Sequence, residues 1–295
     1  MTARPASPPQ PPRTRTGKAP PASGQPGASV AEQLGLAPGQ SIELLKALHI
    51  LTRDGKLNQD SRRKLKQVNH LLQFIEPLLQ QVLDARGNVT LADHGAGKSY
   101  LGFMLYDRFF SQRSVGQVYG VETRAELVER SRVLAQELGF ARMHFLPLSV
   151  QDAMTSTELP AQIDVVTALH ACDTATDDAI AFGLAKQAKH MVLVPCCQAE
   201  VAGVLRKHKA LSLSRNPLSE IWRHPLHTRE FGSQITNVLR CLQLEAHGYQ
   251  VTVTELVGWE HSMKNELILA TKAGNGKHSA RERLNQVLDE LNLQE

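Results

Sequence analysis

The sequence predicts an α/β fold in which a largely parallel, doubly wound sheet is flanked by helices and ends in an antiparallel hairpin. Three features of the 295-residue chain carry this prediction. Short apolar runs alternate with amphipathic stretches, a glycine-rich turn follows the first run, and the last two runs follow one another closely. Alternating strands and helices are typical of parallel sheets, whereas two consecutive strands form a hairpin.

The most informative segment lies at residues 89–101. An apolar run ends there in Asp93, a glycine-rich turn follows, and an amphipathic stretch comes next. This order predicts a strand, a tight loop and a helix. Gly95 and Gly97 let the backbone approach a ligand closely, and a helix N-terminus offers unpaired N–H groups. We therefore expect a cofactor or nucleotide at this loop.

Two interpretations of the loop compete. Read from Ala92, it fits a relaxed Walker pattern in which Lys98 reaches the phosphates of a nucleoside triphosphate and Ser99 binds Mg²⁺. Read from Asp93, it is Asp-x-Gly-x-Gly, the first motif of Rossmann-like methyltransferases. In that interpretation the glycines make room for S-adenosylmethionine, and Asp93 helps to hold its amino-acid end directly or through water. The loop by itself does not decide between them.

The segments that follow favour S-adenosylmethionine. A second strand is predicted at residues 117–121 and precedes Glu122, and an acid at this position accepts ribose hydroxyls in dinucleotide-type folds. A third strand at residues 143–146 leads to Asp152, at a point where such enzymes often contact adenine. No apolar run ends in a convincing Walker-B acid pair, and the closing hairpin is typical of methyltransferases.

Four ordered motifs resemble one family. They are Asp93-x-Gly-Ala-Gly-Lys98-Ser-Tyr-Leu101, Leu169-His170-Ala-Cys172-Asp173-Thr-Ala-Thr-Asp177, Val194-Pro195-Cys196-Cys197 and His261-Ser-Met-Lys264-Asn265. Over about residues 67–272 the chain resembles the "methyltransferase domain 32" group, which is related to tRNA 2′-O-methyltransferases. The resemblance implies a Rossmann-like class I methyltransferase sheet, S-adenosylmethionine as cofactor and a transferase activity. Many relatives carry glycine where this chain has Asp173, so the substrate of the tRNA enzymes is not carried over.

Candidate catalytic groups lie after the fourth and fifth predicted strands, because these tips face the cofactor's sulfur in this architecture. His170 is a candidate general base or a lining of the adenosine pocket, and Asp173 a candidate for orienting the acceptor. Cys196 is a candidate nucleophile of the kind that attacks cytosine in some RNA enzymes, although buried cysteines often act as small hydrophobes. Asp177 is expected to cap the next helix.

Further contacts are assigned by position. Cofactor contacts are predicted for Asp93, Gly95, Gly97, Glu122, Asp152 and His170, and substrate contacts for Lys98, Cys172, Cys197, Lys264 and Asn265. A zinc site from Cys172, Cys196, Cys197 and a nearby histidine is conceivable, but the spacing lacks a Cys-x₂-Cys pair and no metal is predicted.

Four regions are expected along the chain. They are a Pro-rich tail at residues 1–38, a helical lobe at 39–86, the S-adenosylmethionine-binding domain at 87–274 and a C-terminal helix at 275–295. The tail holds nine of the fifteen prolines and is expected to be disordered, since it can bury little apolar surface. The lobe contains predicted helices at 42–51 and 59–84, the second kinked or broken at Pro77. Later helices are predicted at 126–138, 177–187 and 281–293, and later strands at 163–169, 190–194, 249–257 and 266–271.

Composition limits the class of protein and its partners. The net charge of +4 is compatible with RNA binding without indicating it. Residues 206–230 hold six Lys/Arg, three His and two acids, which suits either a phosphate-tracking groove with Trp222 stacking a base or a charged helix face that Trp222 anchors. No apolar run is long enough to cross a membrane, and the four cysteines do not indicate a disulfide framework. A cytoplasmic, reduced protein is expected.

The predicted function is an S-adenosylmethionine-dependent methyltransferase whose acceptor is RNA, either tRNA or rRNA, rather than protein or a small molecule. Two alternatives stay open. One is a P-loop-type ATP-binding protein that uses Lys98 and Ser99. The other is a non-catalytic binding module that retains the methyltransferase fold.

Overall fold

One seven-stranded sheet organises the part of the chain that the structure, a computed structural model, describes. That part covers residues 40–169, 173–196, 198–207, 217–256 and 266–294. The strands are β1 Thr90–His94, β2 Gln117–Val121, β3 Met143–Leu146, β4 Val165–Leu169, β5 His190–Val194, β6 Tyr249–Glu255 and β7 Glu266–Lys272. Their order across the sheet is β3-β2-β1-β4-β5-β7-β6. The first five strands are parallel, and β7 runs antiparallel to both β5 and β6.

This order confirms the predicted fold class. The chain moves outward from β1 through β2 to β3 and then returns to place β4 on the other side of β1. The strand order therefore reverses between β1 and β4, and open α/β sheets bind their ligands at the carboxyl ends of the strands beside such a reversal. The antiparallel β7 gives the Rossmann-like class I methyltransferase sheet with its closing hairpin. The link between β6 and β7, at residues 257–265, lies outside the described residues.

Helices cover both faces of the sheet. They are α1 Ile42–Ala47, α2 Gln59–Arg86, α3 Tyr100–Leu105, α4 Ala125–Glu137, α5 Val150–Thr155, α6 Ala175–Ala185, α7 Glu200–Lys207, α8 Pro225–Ala246 and α9 His278–Glu290. A π-helical turn at Tyr106–Phe110 extends α3, and a 3₁₀ helix at Pro217–Arg223 precedes α8. Within the described ranges, no helix combines the length and apolar character that crossing a bilayer requires.

The sequence predicts that helix α2 is kinked or broken at Pro77. The helix is continuous through this residue, so it is not broken there, and the kink stays a prediction. Proline removes one hydrogen bond from a helix interior, which weakens it locally. Leu72, Ile75 and Leu79 are each fully buried on one face, on both sides of the proline. Burial of that face stabilises the helix across the missing bond, since helices in proteins depend more on packing than on intrinsic propensity.

Alternate residues of the strands feed two cores. Leu91 of β1 lies in the core that also contains Leu44 of α1 and Leu79 of α2, whereas the neighbouring Ala92 lies in the core beneath α6 with Phe182. Successive strand side chains point to opposite faces, which separates the two cores. The helices before β1 thus share one hydrophobic core with the sheet, and this packing holds them beside the carboxyl end of β1.

Candidate cofactor site at the carboxyl edge of the sheet

The glycine loop after β1 needs its glycines for backbone reasons. Gly95 and Gly97 have φ angles of 65° and 58°, in the left-handed region that favours glycine. Ser99 also has a positive φ, of 50°. The N–H of Ala96 donates to the carbonyl of Val121 at 3.0 Å, which ties the loop to the end of β2. The loop therefore turns back over the edge of the sheet beside the residue that follows β2.

Asp93 braces this loop from below. Its side chain is buried, Oδ1 accepts a hydrogen bond from the Thr167 hydroxyl at 3.0 Å, and Oδ2 accepts one from the Ser99 hydroxyl at 3.2 Å. Burial raises the pKa of Asp93 to about 6, against the lowering effect of these hydrogen bonds. The carboxyl group thus links β1, β4 and the loop, while its contact with the cofactor's amino-acid end stays a prediction.

The two residues of the Walker interpretation are placed differently. Ser99 is fully buried, and its hydroxyl donates to Asp93 instead of facing a ligand. Lys98 is exposed and lines a cavity beside the loop. A Mg²⁺ ligand must present its oxygen to the ion, so the buried Ser99 hydroxyl does not suit that role in this conformation.

Glu122, directly after β2, is joined to the loop. Its Oε2 accepts from the Gly97 N–H at 2.8 Å and from the Arg124 guanidinium at 3.2 Å, and its Oε1 accepts from Arg124 Nε at 3.0 Å and the Arg124 N–H at 3.1 Å. Burial acts to raise the pKa of Glu122, but the hydrogen bonds from Arg124 and Gly97 outweigh it and lower the pKa to about 2. An ionised, hydrogen-bond-accepting carboxylate therefore lies beside the glycines. Sequence reasoning missed Arg124, which carries no motif signal.

His94 is the last residue of β1 and points to the opposite face from Asp93. It is 5% exposed, neither ring nitrogen has a hydrogen-bond partner in the described part of the chain, and its ring centroid lies 5.4 Å from that of Phe182. Burial lowers the pKa of His94 to about 4, against the opposing charge of Glu122. The imidazole is therefore neutral at physiological pH. It belongs to the last residue of β1, directly before the glycine loop.

The buried His94 predicts a loss of stability in acid. Its pKa is about 4 when folded and 6.5 in the reference state, so between these values the unfolded chain binds the extra proton and stability falls as pH falls. We expect His94→Met to reduce the stability loss between pH 7 and pH 5, measured by urea unfolding. His190, whose pKa burial also lowers to about 4, keeps the loss from vanishing. His247→Met, at an exposed position, is the control, and equal losses in all three proteins would contradict the assignment.

Asp152 lies in the first turn of α5 as part of a reciprocal cap. Its N–H donates to the Ser149 hydroxyl oxygen at 3.2 Å, and that hydroxyl donates to Asp152 Oδ2 at 2.6 Å. Such a cap fixes the start of a helix. The side chain is exposed at the edge beyond β3, and its contact with adenine stays a prediction.

Asp173 lies just after the tip of β4. Its φ of 52° is in the left-handed region, a conformation that glycine adopts readily. Asp173 Oδ1 accepts from the Ala199 N–H at 3.2 Å, so this residue joins the chain after β4 to the chain after β5. Its exposed carboxylate remains a candidate for orienting an acceptor.

A buried arginine organises the same region. Arg240 of α8 is 2% exposed and donates to Asp177 through Nε at 2.8 Å and through a terminal nitrogen at 2.6 Å. It also donates to the carbonyl oxygen of Asp173 at 2.8 Å. The predicted capping role of Asp177 is wrong: α6 begins at Ala175 after Thr174, which makes no side-chain cap, and Asp177 instead forms a bidentate ion pair.

Asn237 extends this network from the same helix. Its Oδ1 accepts from Arg240 at 3.0 Å and from Gln198 Nε2 at 2.9 Å, and its Nδ2 donates to Glu266 at 2.6 Å. Helix α8 therefore connects the tips of β4 and β5 with the start of β7. Of the residues in this network, sequence reasoning had singled out only Asp173 and Asp177. The available signal was the three-residue spacing of Asn237 and Arg240, which places both on the same side of α8.

Several predicted site residues cannot be placed. His170, Cys172, Cys197, Lys264 and Asn265 lie outside the described residues. Cys196 follows β5 after Pro195, is half-buried and is not part of a disulfide. The structure thus brings Asp93, Gly97 and Glu122 together at the carboxyl ends of β1 and β2. It places Asp173 after β4 and Cys196 after β5.

The basic segment carries less free charge than its composition indicates. Residues 208–216 lie outside the described ranges. Arg223 pairs with Glu220 at 2.9 Å, and Arg229 pairs with Glu230 at 2.9 Å. Trp222 is 4% exposed and packs edge-on against Phe231, at 5.1 Å between centroids, so the structure shows the anchoring alternative and not a base-stacking surface.

Several solved methyltransferases are similar to the chain at low sequence identity. The chain aligns over 68% of its length with 95% of an rRNA methylase from Streptococcus thermophilus, at 10% identity and a TM-score of 0.41. It aligns over 78% of its length with 93% of magnesium protoporphyrin IX methyltransferase from Synechocystis PCC 6803 with bound SAH, at 16% identity and a TM-score of 0.43. For a methyltransferase from Geobacter sulfurreducens the shares are 83% and 94%, at 14% identity and a TM-score of 0.42. Similarities this weak say nothing about the substrate.

One family model matches part of the sequence. No curated protein matches the chain. Residues 63–204 match the family described as "Methyltransferase domain", and this range includes the glycine loop, Glu122 and the tips of β4 and β5. This segment of the chain is therefore similar to that methyltransferase domain family.

Proposed function

We propose that the protein is an S-adenosylmethionine-dependent methyltransferase that acts on RNA. The observation that carries the cofactor proposal is the ionised Glu122 carboxylate, held at the tip of β2 by the Gly97 N–H at 2.8 Å. A carboxylate at this point of a doubly wound sheet accepts the two ribose hydroxyls of a nucleoside. Gly95 and Gly97, which lack a Cβ, leave room for the rest of the ligand beside the backbone.

The residues of this chain fit the cofactor in a defined order along the edge. Glu122 takes the ribose, Asp152 lies towards the adenine, and the loop that Asp93 braces lies towards the amino-acid end. Ribose hydroxyls compete with Arg124 for Glu122. Gly97 and Arg124 together donate four hydrogen bonds to this carboxylate, and three of them come from Arg124. Binding of the cofactor thus requires the Arg124 side chain to give up some of these contacts.

S-adenosylmethionine supplies a methyl group on a sulfonium, which leaves the protein to orient the acceptor and to accept a proton. Asp173 follows β4, which pairs with β1, and Cys196 follows β5, which pairs with β4. We place the acceptor at these two strand tips. Arg240 and Asn237 hold these tips in place through the contacts with Asp173, Asp177 and Gln198. Held geometry of this kind contributes to rate by fixing the acceptor in line with the methyl group. We assign the orienting role to Asp173, with His170 as the candidate base.

RNA is proposed as the acceptor because the motifs resemble a group related to tRNA enzymes, and the net charge of +4 is compatible with such a substrate. Two observations weigh against the P-loop alternative. Ser99 is buried against Asp93, and β7 runs antiparallel at the end of the sheet. The non-catalytic alternative makes a different prediction, namely that the intact loop binds no cofactor.

Calorimetric titration tests the proposal. We expect S-adenosylmethionine and S-adenosylhomocysteine to bind the full chain with 1:1 stoichiometry. The P-loop alternative instead predicts ATP binding that requires Mg²⁺, without binding of either S-adenosyl compound. Failure of both S-adenosyl compounds to bind at millimolar concentration would contradict the proposal and favour the non-catalytic module.

A further inference from the structure

A cavity lies beside the glycine loop, where α1, α3 and α4 meet. It has a volume of about 320 Å³ and is formed between the end of α1, the start of α3 and one face of α4. Its lining includes Lys98, Tyr100 and Leu134 but not Asp93, Gly95, Gly97 or Glu122. Leu134 lies nine residues beyond the start of α4 at Ala125, roughly 13 Å along the helix axis. The cavity therefore extends away from the edge where the cofactor is proposed to bind.

The polar part of this cavity is cationic. Lys98 and Arg130 are exposed in its wall and make no ion pair with any residue that the structure describes, and His49 adds a third nitrogen donor. Other arginines of the domain are engaged, such as Arg108 with Glu76 at 2.8 Å and Arg240 with Asp177 at 2.6 Å. Glu137 supplies the acid in the lining, two turns of α4 away from Arg130. Two positive charges thus line one cavity, and neither forms an ion pair with a residue that the structure describes.

The remaining lining is apolar and aromatic. Leu127 and Leu134 of α4 are half-buried, Leu48 is buried, and the half-buried Tyr100 follows the loop directly. Ligand pockets have volumes of roughly 300–1,000 Å³ and combine apolar walls with a few placed polar groups. A cavity at the lower end of this range accommodates one small unit and not a helix or a strand. A matching ligand has an anionic group for the cationic side chains and a flat or apolar part for the aromatic and aliphatic wall.

We propose that this cavity binds a nucleotide phosphate. Arg130 and Lys98 donate to the phosphate oxygens, as guanidinium and ammonium groups do at phosphate sites. The sugar or base lies against Tyr100 and Leu127, where stacking on an aromatic ring is available. Either an RNA chain or a free mononucleotide supplies this chemistry. The proposal does not rest on methyl transfer, because it concerns residues outside the cofactor edge.

The test uses the full chain, a fluorescently labelled decauridylate RNA and uridine monophosphate. We expect Arg130→Ala to weaken RNA binding several-fold in an anisotropy titration. It should also make the slope of log K against log salt shallower by roughly 0.7, the value for one lost phosphate contact on a single strand. A merely structural role of Arg130 would not change that slope. Arg229→Ala, in the basic segment and paired with Glu230, is the matched control and should change neither quantity.

The two sources give different results in this experiment. Arg130-dependent binding of the RNA assigns the cavity to RNA, whereas Arg130-dependent binding of uridine monophosphate alone assigns it to a free nucleotide. The proposal is overturned if the unaltered protein binds neither probe at millimolar concentration, or if Arg130→Ala leaves affinity and salt slope unchanged. Titration of the same proteins with S-adenosylhomocysteine separates the two proposals. If the unaltered protein does not bind S-adenosylhomocysteine, only the methyltransferase proposal is overturned, and the proposal for the cavity still stands.

Discussion

Replacing Arg240 with methionine is expected to lower the free energy of unfolding by about 3 kcal/mol, the low end of the roughly 3–5 kcal/mol that breaking a buried ion pair costs. Methionine fills much of the space but leaves the Asp177 carboxylate and the Asp173 carbonyl without their donor. The low end applies because the Asp177 side chain is 41% exposed and water can replace part of the lost contact. Urea unfolding followed by circular dichroism measures the change.

The matched control lies on the same helix. Arg229 pairs with Glu230 at 2.9 Å, but these side chains are 57% and 49% exposed. Exposed pairs contribute about 0–1 kcal/mol, so Arg229→Met should change stability little. Arg240→Lys should fall between the two, since lysine keeps the charge but cannot form the bidentate contact with Asp177. Equal stability of the Arg240→Met and Arg229→Met proteins would show that the buried network does not stabilise the fold.

Replacing Glu122 with glutamine is expected to weaken S-adenosylhomocysteine binding by roughly 10- to 100-fold. Hydrogen bonds to a charged group contribute about 1.5–3 kcal/mol, and each 1.4 kcal/mol is a tenfold change in affinity. Glutamine has nearly the same shape, so the change removes the charge and one acceptor without opening a cavity. The pKa of Glu122 is about 2, so the carboxylate is ionised throughout the neutral range and its contribution should be constant between pH 6 and pH 8.

Glu126→Gln is the control for this prediction. Glu126 lies in the first turn of α4, four residues after Glu122, and its side chain is exposed. It removes the same charge near Arg124 without touching the Gly97 N–H. Calorimetry on the three proteins gives the comparison. Unchanged affinity in the Glu122→Gln protein would mean that the cofactor does not use this carboxylate, and the site would have to be placed elsewhere on the edge.

Several elements could be predicted because their pattern is local. The strands at residues 117–121, 143–146 and 190–194 have the predicted bounds, since each is a short apolar run that becomes almost wholly buried. The glycine loop could also be predicted from its local sequence. Gly95 and Gly97 adopt positive φ angles, for which residue identity is itself the signal.

Other features could not be predicted because they depend on residues far apart in the chain. Arg240 lies 63 positions from Asp177, and no local sequence pattern indicates that the two side chains pair. The same holds for Asp93, whose partner Thr167 is 74 positions away and whose burial raises its pKa to about 6. Trp222 was read as a possible stacking surface because the sequence reports its basic neighbours and not the Phe231 ring that covers it.

The amino-acid sequence by itself determined the α/β class, most strand positions, the glycine loop and the acid that follows β2. These depend on periodicity, on backbone conformations that only some residues adopt readily, and on the order of motifs along the chain. Only the tertiary structure decided which polar groups meet. It turned Asp93 and Ser99 inward, joined Glu122 to Gly97 and Arg124, and buried Arg240 between the tips of β4 and β5. The physical reason is that the sheet brings distant segments to one edge, where burial favours hydrogen bonds between most of the polar groups that meet there.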